Sequence, residues 1–307
     1  MRTARLSTRS LLLAVLGVLT GCATPDRAPI RIGAWNIEWL GSPNRRSGPA
    51  RGHAQTPEAL ADYILAANVD ILGLEEVSRN AEDGSWTNDT LKQAFEIVER
   101  ENGGDWRQRL YPSRSGRNQL CGIAWNAARV DALGEARKIC APDERSTQSK
   151  IVWSRPPHGQ MFSAGHGLND FVVVTVHMKS NYGGDFSAHR AREGETLVES
   201  LPRVFADPDV VIIGDFNCGS HEEPAIQAIA GAGFVDLNAD DTATNWHYGP
   251  LDRAFVPADQ PEFADHFFEV LSNSFFDARG VTAEAFKVTH SDHWMVITQV
   301  EVGDDDD

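Results

Sequence analysis

Val210-Val211-Ile212-Ile213-Gly214-Asp215-Phe216-Asn217 decides the fold. Four β-branched residues in succession put apolar side chains on both sides of an extended chain, which suits a strand covered on both faces. The run meets a glycine and then delivers a carboxylate, Asp215, and an amide, Asn217, to the end of that strand. A single Asp or Asn there is most often a turn former that bonds its own backbone. The reading therefore depends on how the other strands end.

Similar apolar runs occupy 30–35, 69–74, 121–125, 171–176 and 294–300. Asn36 ends the first, Glu75 and Glu76 follow the second, and His177 ends the run at 171–176. Asp252 opens a further strand at 251–256, and Asp292 and His293 open the last. If strands that end in polar groups run antiparallel to those that begin with them, all these side chains meet at one rim. Independent turn formers have no reason to recur in that arrangement. Helical patterns lie between the strands. One has Thr56 as N-cap, Pro57 at the first position and Leu60, Ile64 and Leu65 on one face. A second starts at Asn88 and faces Leu91, Phe95 and Val98 inward; a third spans 187–201 and is expected to stop at Pro202.

The 307 residues carry 28 Lys and Arg against 44 Asp and Glu, a net charge of −16, with 41% hydrophobic and 23% charged residues. That is globular composition, and the acidic balance excludes coating of duplex nucleic acid by bulk electrostatics. It does not exclude contact with phosphate through a metal cation. Arg2, Arg5 and Arg9 precede an apolar stretch at 11–19 that is too short to span a bilayer, the layout of a secretory signal. Its ending, Leu19-Thr20-Gly21-Cys22, resembles the bacterial lipobox, which implies cleavage before Cys22 and a lipid on its thiol. The expected organisation is a signal over 1–21, a tether over 22–29, one domain over 30–302 with no internal repeat, and an acidic tail over 303–307. Without residues 1–21 the chain keeps 25 basic against 44 acidic side chains, a balance of −19. The expected location is the cell envelope, after export, with a lipid anchor and a monomeric enzyme.

The chemistry of the rim set follows from its donor atoms. Asn, Asp and Glu oxygens are hard ligands, suited to Mg2+, with Mn2+ and Ca2+ as alternatives. No cysteine pair has zinc spacing, and His290 and His293 lie on a loop rather than one helix face. A histidine opening the last strand and oriented by Asp252 can manage protons. Asp215 can position or deprotonate water. Together these describe metal-assisted phosphoester hydrolysis.

The motifs Trp35-Asn36-Ile37, Leu74-Glu75-Glu76-Val77, Val176-His177-Met178-Lys179-Ser180, Gly214-Asp215-Phe216-Asn217, Leu251-Asp252-Arg253 and Ser291-Asp292-His293 resemble, in order, those of the endonuclease/exonuclease/phosphatase superfamily. That superfamily includes deoxyribonuclease-I-like nucleases, AP endonucleases, neutral sphingomyelinases and inositol polyphosphate 5-phosphatases. The resemblance implies an α/β fold, a four-layered sandwich of two face-to-face mixed β-sheets flanked by helices. It also implies Asn36, Glu76 and Asp292 as metal ligands, Asp215 orienting water, Asn217 and His177 on phosphate, and Asp252 paired with His293. At Glu75 the family more often has Gln, and this extra carboxylate is expected to face solvent.

The substrate is less legible. Arg114, Arg117 and Asn118 precede the run at 121–125, with Arg117 the expected substrate contact, and the insertion at 42–55 adds Arg45, Arg46, Arg51 and His53. Such loops favour a DNA or RNA endonuclease. The alternatives are a sphingomyelinase- or phospholipase-C-like enzyme on lipid head groups, within reach of an anchored protein, and a non-catalytic binding module on the same fold. With Cys22 lipidated, Cys121 and Cys140 are the expected disulfide pair, and Cys218 is expected to be buried beside the site.

Overall fold

The computed structural model describes residues 28–80, 85–113, 119–139 and 152–304. The strands in chain order are β1 (Ile30–Leu40), β2 (Ile71–Ser78), β3 (Trp106–Tyr111), β4 (Gln119–Asn126), β5 (Asp131–Lys138), β6 (His158–Ser163), β7 (Asp170–His177), β8 (Val210–Asp215), β9 (Phe234–Asp236), β10 (Asp252–Pro257), β11 (Glu269–Leu271) and β12 (Met295–Val300). The helices are α1 (Pro57–Ala67), α2 (Asp89–Asn102), α3 (Ser187–Val204), α4 (Pro224–Ala230), α5 (Asn273–Arg279) and α6 (Ala283–Thr289).

Among the described residues the strands form two six-stranded sheets, ordered β11-β12-β1-β2-β4-β3 and β5-β6-β7-β8-β10-β9. The pairs β1–β2 and β7–β8, joined through α1 and α3, are parallel, and every other pairing is antiparallel. The side-chain period of two divides each central strand between two cores. Ile32 and Ala34 of β1, Val173 of β7 and Val211 and Ile213 of β8 fill the space between the sheets. Trp35 and Leu72 pack outward on Leu60, Tyr63 and Ile64 of α1 and Phe275 of α5. Val172, Val174 and Ile212 pack outward on Leu197 and Leu201 of α3 and Ile226 of α4. Each such side chain contributes roughly 1.5–3 kcal/mol when taken from water, so neither face can be given up. The result is the expected four-layered sandwich.

Because β7 and β8 are apolar on both faces, hydrophobic pattern alone cannot hold their register. The polar ends resolve it: His177 pairs with Asp215 in β7–β8, and Asp215 with Asp252 in β8–β10. Helix starts follow the sequence signals, with Thr56 Oγ1 accepting from Ala59 N and Asn88 Oδ1 from Leu91 N.

Four expectations are corrected. α3 continues through Pro202 to Val204, because a proline in the final turn removes a single ladder bond. β1 does not end at Asn36 but runs to Leu40 across a register break. Glu75 is fully buried rather than facing solvent, because in β2 it pairs with Asn36 of β1 inside the sheet. The tail is not free from residue 303: Gly303 N donates to Asn169 Oδ1 and Asp304 forms a bridge with Leu168. The signal, Cys22, Arg114, Arg117, Asn118 and Cys140 lie outside the described residues. Cys121 is buried and free, so the described residues supply it with no bridge.

Candidate active site

The C-terminal ends of β1, β2, β7 and β8 and the starts of β10 and β12 meet at one rim, where a cavity of about 530 Å³ opens. Asn36, Glu76, His177, Asp215, Asn217, Asp292 and His293 all line it, and Asp252 lies directly behind His293. Of the site residues expected from sequence, only Arg117 is not placed, since it lies outside the described residues.

Asp215 is the hub. Its Oδ2 accepts from Asn36 Nδ2 at 3.0 Å and its Oδ1 from Asn217 N at 2.8 Å. His177 Nε2 and His293 Nε2 stand 3.5 and 4.0 Å from Oδ2. Burial raises the Asp215 carboxyl to about 6, against the pull of His293. His293 Nδ1 bonds Asp252 Oδ2 at 2.8 Å, and the Thr244 hydroxyl donates to the same oxygen at 2.7 Å. Burial opposes charge on His293, but Asp252 and Asp215 outweigh it and hold its pKa well above the ordinary histidine value. The opposite holds for His177: burial, then Arg155, keeps it neutral, and its Nδ1 has no partner among the described residues. Two imidazoles with opposite protonation thus flank one carboxylate, the kind of splitting that separates acid from base roles.

Bulges aim the remaining oxygens. The β2–β4 register breaks between Leu74 and Val77, and Glu76 adopts φ 58° there, which turns it into the cavity beside Asp292. Burial and the Asp292 charge raise Glu76 to about 7. A pair of mutually repelling, largely buried carboxylates next to an amide suits a hard divalent cation. Asn36 Oδ1 accepts from Glu38 N at 3.1 Å and keeps its second lone pair. Asp215, Asp252 and His293 also form a compact trio with ligand atoms within 4.8 Å of one another. The Nδ1 of that histidine is already committed to Asp252, so the trio is built for proton handling.

Several supporting residues carry no motif and escaped the sequence reading. Lys287, fully buried, bonds Asp292 Oδ2 at 3.1 Å and Ser47 Oγ at 3.0 Å and pairs with Glu38. His293 opposes burial to keep Asp292 ionised, helped by that ammonium. Arg155 ties the end of β7 to β4, donating to Met178 O at 2.6 Å and to Gln119 Oε1 at 3.1 Å. Glu75 lies behind the site, both its oxygens without a partner among the described residues; burial, then Asp252 and Asp215, raise its pKa well above the carboxylate range. It is a neutral acid beneath the rim. The 42–55 insertion is mainly a clamp: Arg46 is buried on Glu38, and Gln55 Nε2 donates to Ile37 O at 2.7 Å. Only Arg45 of its basic residues reaches the cavity. Cys218 is buried with its thiol pushed up to about 12, which removes it as a nucleophile.

Residues 33–293 match the model of the Endonuclease/Exonuclease/phosphatase family. The chain belongs to that family of metal-dependent phosphoesterases and is a phosphoric ester hydrolase by class. No curated protein matches its sequence. Among solved structures it resembles the human Nocturnin catalytic domain with bound sulfate (18% identity, TM-score 0.58, 90% of this chain and 95% of that one). It also resembles D. rerio TDP2 complexed with single strand DNA product (14%, TM-score 0.54, 89% and 99%). A family protein from Bacteroides vulgatus aligns at 13% identity and TM-score 0.59, over 90% of this chain and 100% of that one. At these identities the likeness is one of fold.

Proposed function

We propose that this chain is a Mg2+-dependent phosphodiesterase acting on nucleic acid, a DNA or RNA endonuclease. The observation that carries the reading is the Asp252–His293 pair set against Asp215 in the cavity that Asn36, Glu76 and Asp292 also line. Asn36, Glu76 and Asp292 would hold the cation, whose chemistry when bound is to offset negative charge on the phosphate oxygens. Asp215 orients the attacking water through a carboxylate fixed from two sides, and its raised pKa suits it to take a proton near neutrality. His293, held by Asp252, presents a proton at Nε2 to the phosphate or the departing oxygen. Asn217 and the neutral His177 bind phosphate oxygens.

Nucleic acid is favoured over lipid by the surface around the site. Arg45, Arg155 and Lys179 line the cavity, while among the described residues the exposed large hydrophobics, Trp86, Leu133, Tyr182 and Tyr248, lie on four separate segments rather than in one hairpin that could enter a bilayer. Among the described residues no helix is long and apolar enough to cross a membrane. The TDP2 structure with single strand DNA product supports the same choice. Purified protein assayed on plasmid DNA, RNA, sphingomyelin and methyl 4-nitrophenyl phosphate should cleave nucleic acid with Mg2+ and stop with EDTA. Cleavage of sphingomyelin alone would select the lipid reading, and no EDTA-sensitive turnover at all would sink the assignment.

Export, with a lipid on Cys22, rests on the sequence of residues 1–22. Fatty-acid labelling of the wild type that vanishes in Cys22→Ala is the expected result; equal labelling refutes it.

A further inference from the structure

Two planar side chains stand at the mouth of the cavity without a part in the hydrolytic chemistry. On the first sheet's side, β1 leaves its pairing with β2 at Asn36 and rejoins it at Leu40, with φ 40° at Glu38 and 56° at Trp39. A bulky L-residue rarely takes that conformation, so the surroundings must impose it. They do: the buried Glu38 carboxylate is gripped by Arg46 and Lys287, and Gln55 Nε2 donates to the carbonyls of Ile37 and Glu38. Ile37 and Leu40 stay fully buried while Trp39 turns to the cavity, with the Arg45 guanidinium 4.7 Å over its ring. Arg45 makes no ion pair among the described residues. On the second sheet's side, Tyr182 sits on the loop between β7 and α3, lines the same cavity and is 92% exposed.

We propose that the Trp39–Arg45 shelf and Tyr182 receive the bases on either side of the scissile phosphate, so that the site takes single-stranded rather than duplex nucleic acid. The inference rests on the nuclease reading above and names its substrate form. In a duplex each base is stacked on its neighbours and hides both faces; an unpaired nucleotide presents a π-face to an aromatic ring or a guanidinium plane. Net charge makes such contacts necessary without by itself choosing between the two forms. At −16 the chain cannot hold a duplex by bulk electrostatics, so affinity must come from short-range contacts at the rim. Arg45 supplies both kinds at once, a flat face for a base and a charge for the adjoining phosphate.

The experiment compares wild type, Tyr182→Ala, Tyr182→Phe and Trp39→Ala on a mixed-sequence single-stranded oligonucleotide, the same sequence as duplex, methyl 4-nitrophenyl phosphate and sphingomyelin vesicles. Wild type should favour the single strand over the duplex at least tenfold in kcat/KM. Loss of one stacking partner is worth roughly 5- to 150-fold on a base-binding site. Tyr182→Ala and Trp39→Ala should therefore lose at least fivefold more on the single strand than on methyl 4-nitrophenyl phosphate, mainly through KM. Tyr182→Phe, which keeps the ring, should recover most of the loss. Equal losses on the two substrates, or duplex cleaved as well as single strand, would overturn the stacking proposal and leave the nuclease reading standing. Hydrolysis of methyl 4-nitrophenyl phosphate or of vesicles with no cleavage of any nucleic acid would overturn both.

Discussion

From edge to edge the two sheets have one plan: an antiparallel pair, a central parallel pair joined through a helix, and a second antiparallel pair. The second sheet draws its plan from a continuous run, β5 to β10, whereas the first begins with β1 and is closed by β11 and β12 from the far end of the chain. Matching places carry different chemistry. Asn36 pairs with Glu75 where His177 pairs with Asp215. At the rim the first sheet's central strands bulge, between Asn36 and Leu40 and between Leu74 and Val77, while β8 keeps register with both β7 and β10 through Asp215. A bulge bends its strand locally and re-aims the side chains beside it. On the proposed reading the labour divides: Asn36, Glu76 and Asp292 on the first sheet's side would hold the cation, and groups at the straight ends of the other sheet would handle water and phosphate. His293, supplied by the loop that leads into β12 of the first sheet and held by Asp252 of the second sheet, joins the two.

The largest effect is expected at that joint. His293→Ala should lower turnover by ~10²–10⁴-fold with the fold intact, since a positioned acid/base group contributes about that much. Steady-state kinetics with a circular dichroism control checks it, and near-wild-type activity would remove its role. The division of labour is tested by a pair of isosteric changes. Asp215→Asn should reduce kcat by roughly 10²-fold or more while Mg2+ affinity, read by calorimetry, changes little. Glu76→Gln should instead weaken Mg2+ binding, by about tenfold or more. The reverse pattern would break the comparison.

Smaller effects probe the frame. Gly214 has φ 141°, and a methyl there would lie 2.2 Å from Val176 O; Gly73 in β2 would place one 2.9 Å from the Thr175 hydroxyl. Backbone cannot yield as a side chain can, so Gly214→Ala should cost about 2–3 kcal/mol in urea unfolding and Gly73→Ala about 1 kcal/mol. Equal costs would show that the sheets do not differ here.

The smallest expected effect compares histidines at matching places. His158 opens β6, as His293 precedes β12, but it stacks on Tyr111 and burial lowers it to about 4. A depressed histidine pKa means the unfolded chain binds the proton more readily. Its contribution is present above the ordinary value near 6.5 and is lost as pH falls toward 4. Unfolding midpoints measured across that window should decline with acid, and His158→Asn should flatten the decline. An unchanged slope would rule this histidine out.

The sequence carried the site because its residues sit where strands start or stop or, for Asn36 and Glu76, where a strand bulges, and those positions show as breaks in apolar runs. Asn36, Glu76, His177, Asp215, Asn217, Asp252, Asp292 and His293 were all legible that way. The edge strands were not: β5 is mostly exposed along its length and has no apolar run to announce it. Lys287 and Arg155 left no signal either, since a buried cation on a short helix or in a loop resembles any surface residue until its partners, Asp292 and Glu38 or Gln119 and Met178, are in place.

By itself, then, the sequence determined the apolar strands, the caps and the polar residues that punctuate them, all properties of neighbours along the chain. Tertiary structure alone decided that Glu75 is a buried acid while Glu76 faces the cavity, that Arg46 clamps while Arg45 stacks, and that Trp39 turns outward. Each of those outcomes depends on a bulge or a partner more than a few residues away, and neither composition nor periodicity encodes which of two adjacent side chains a bend will expose.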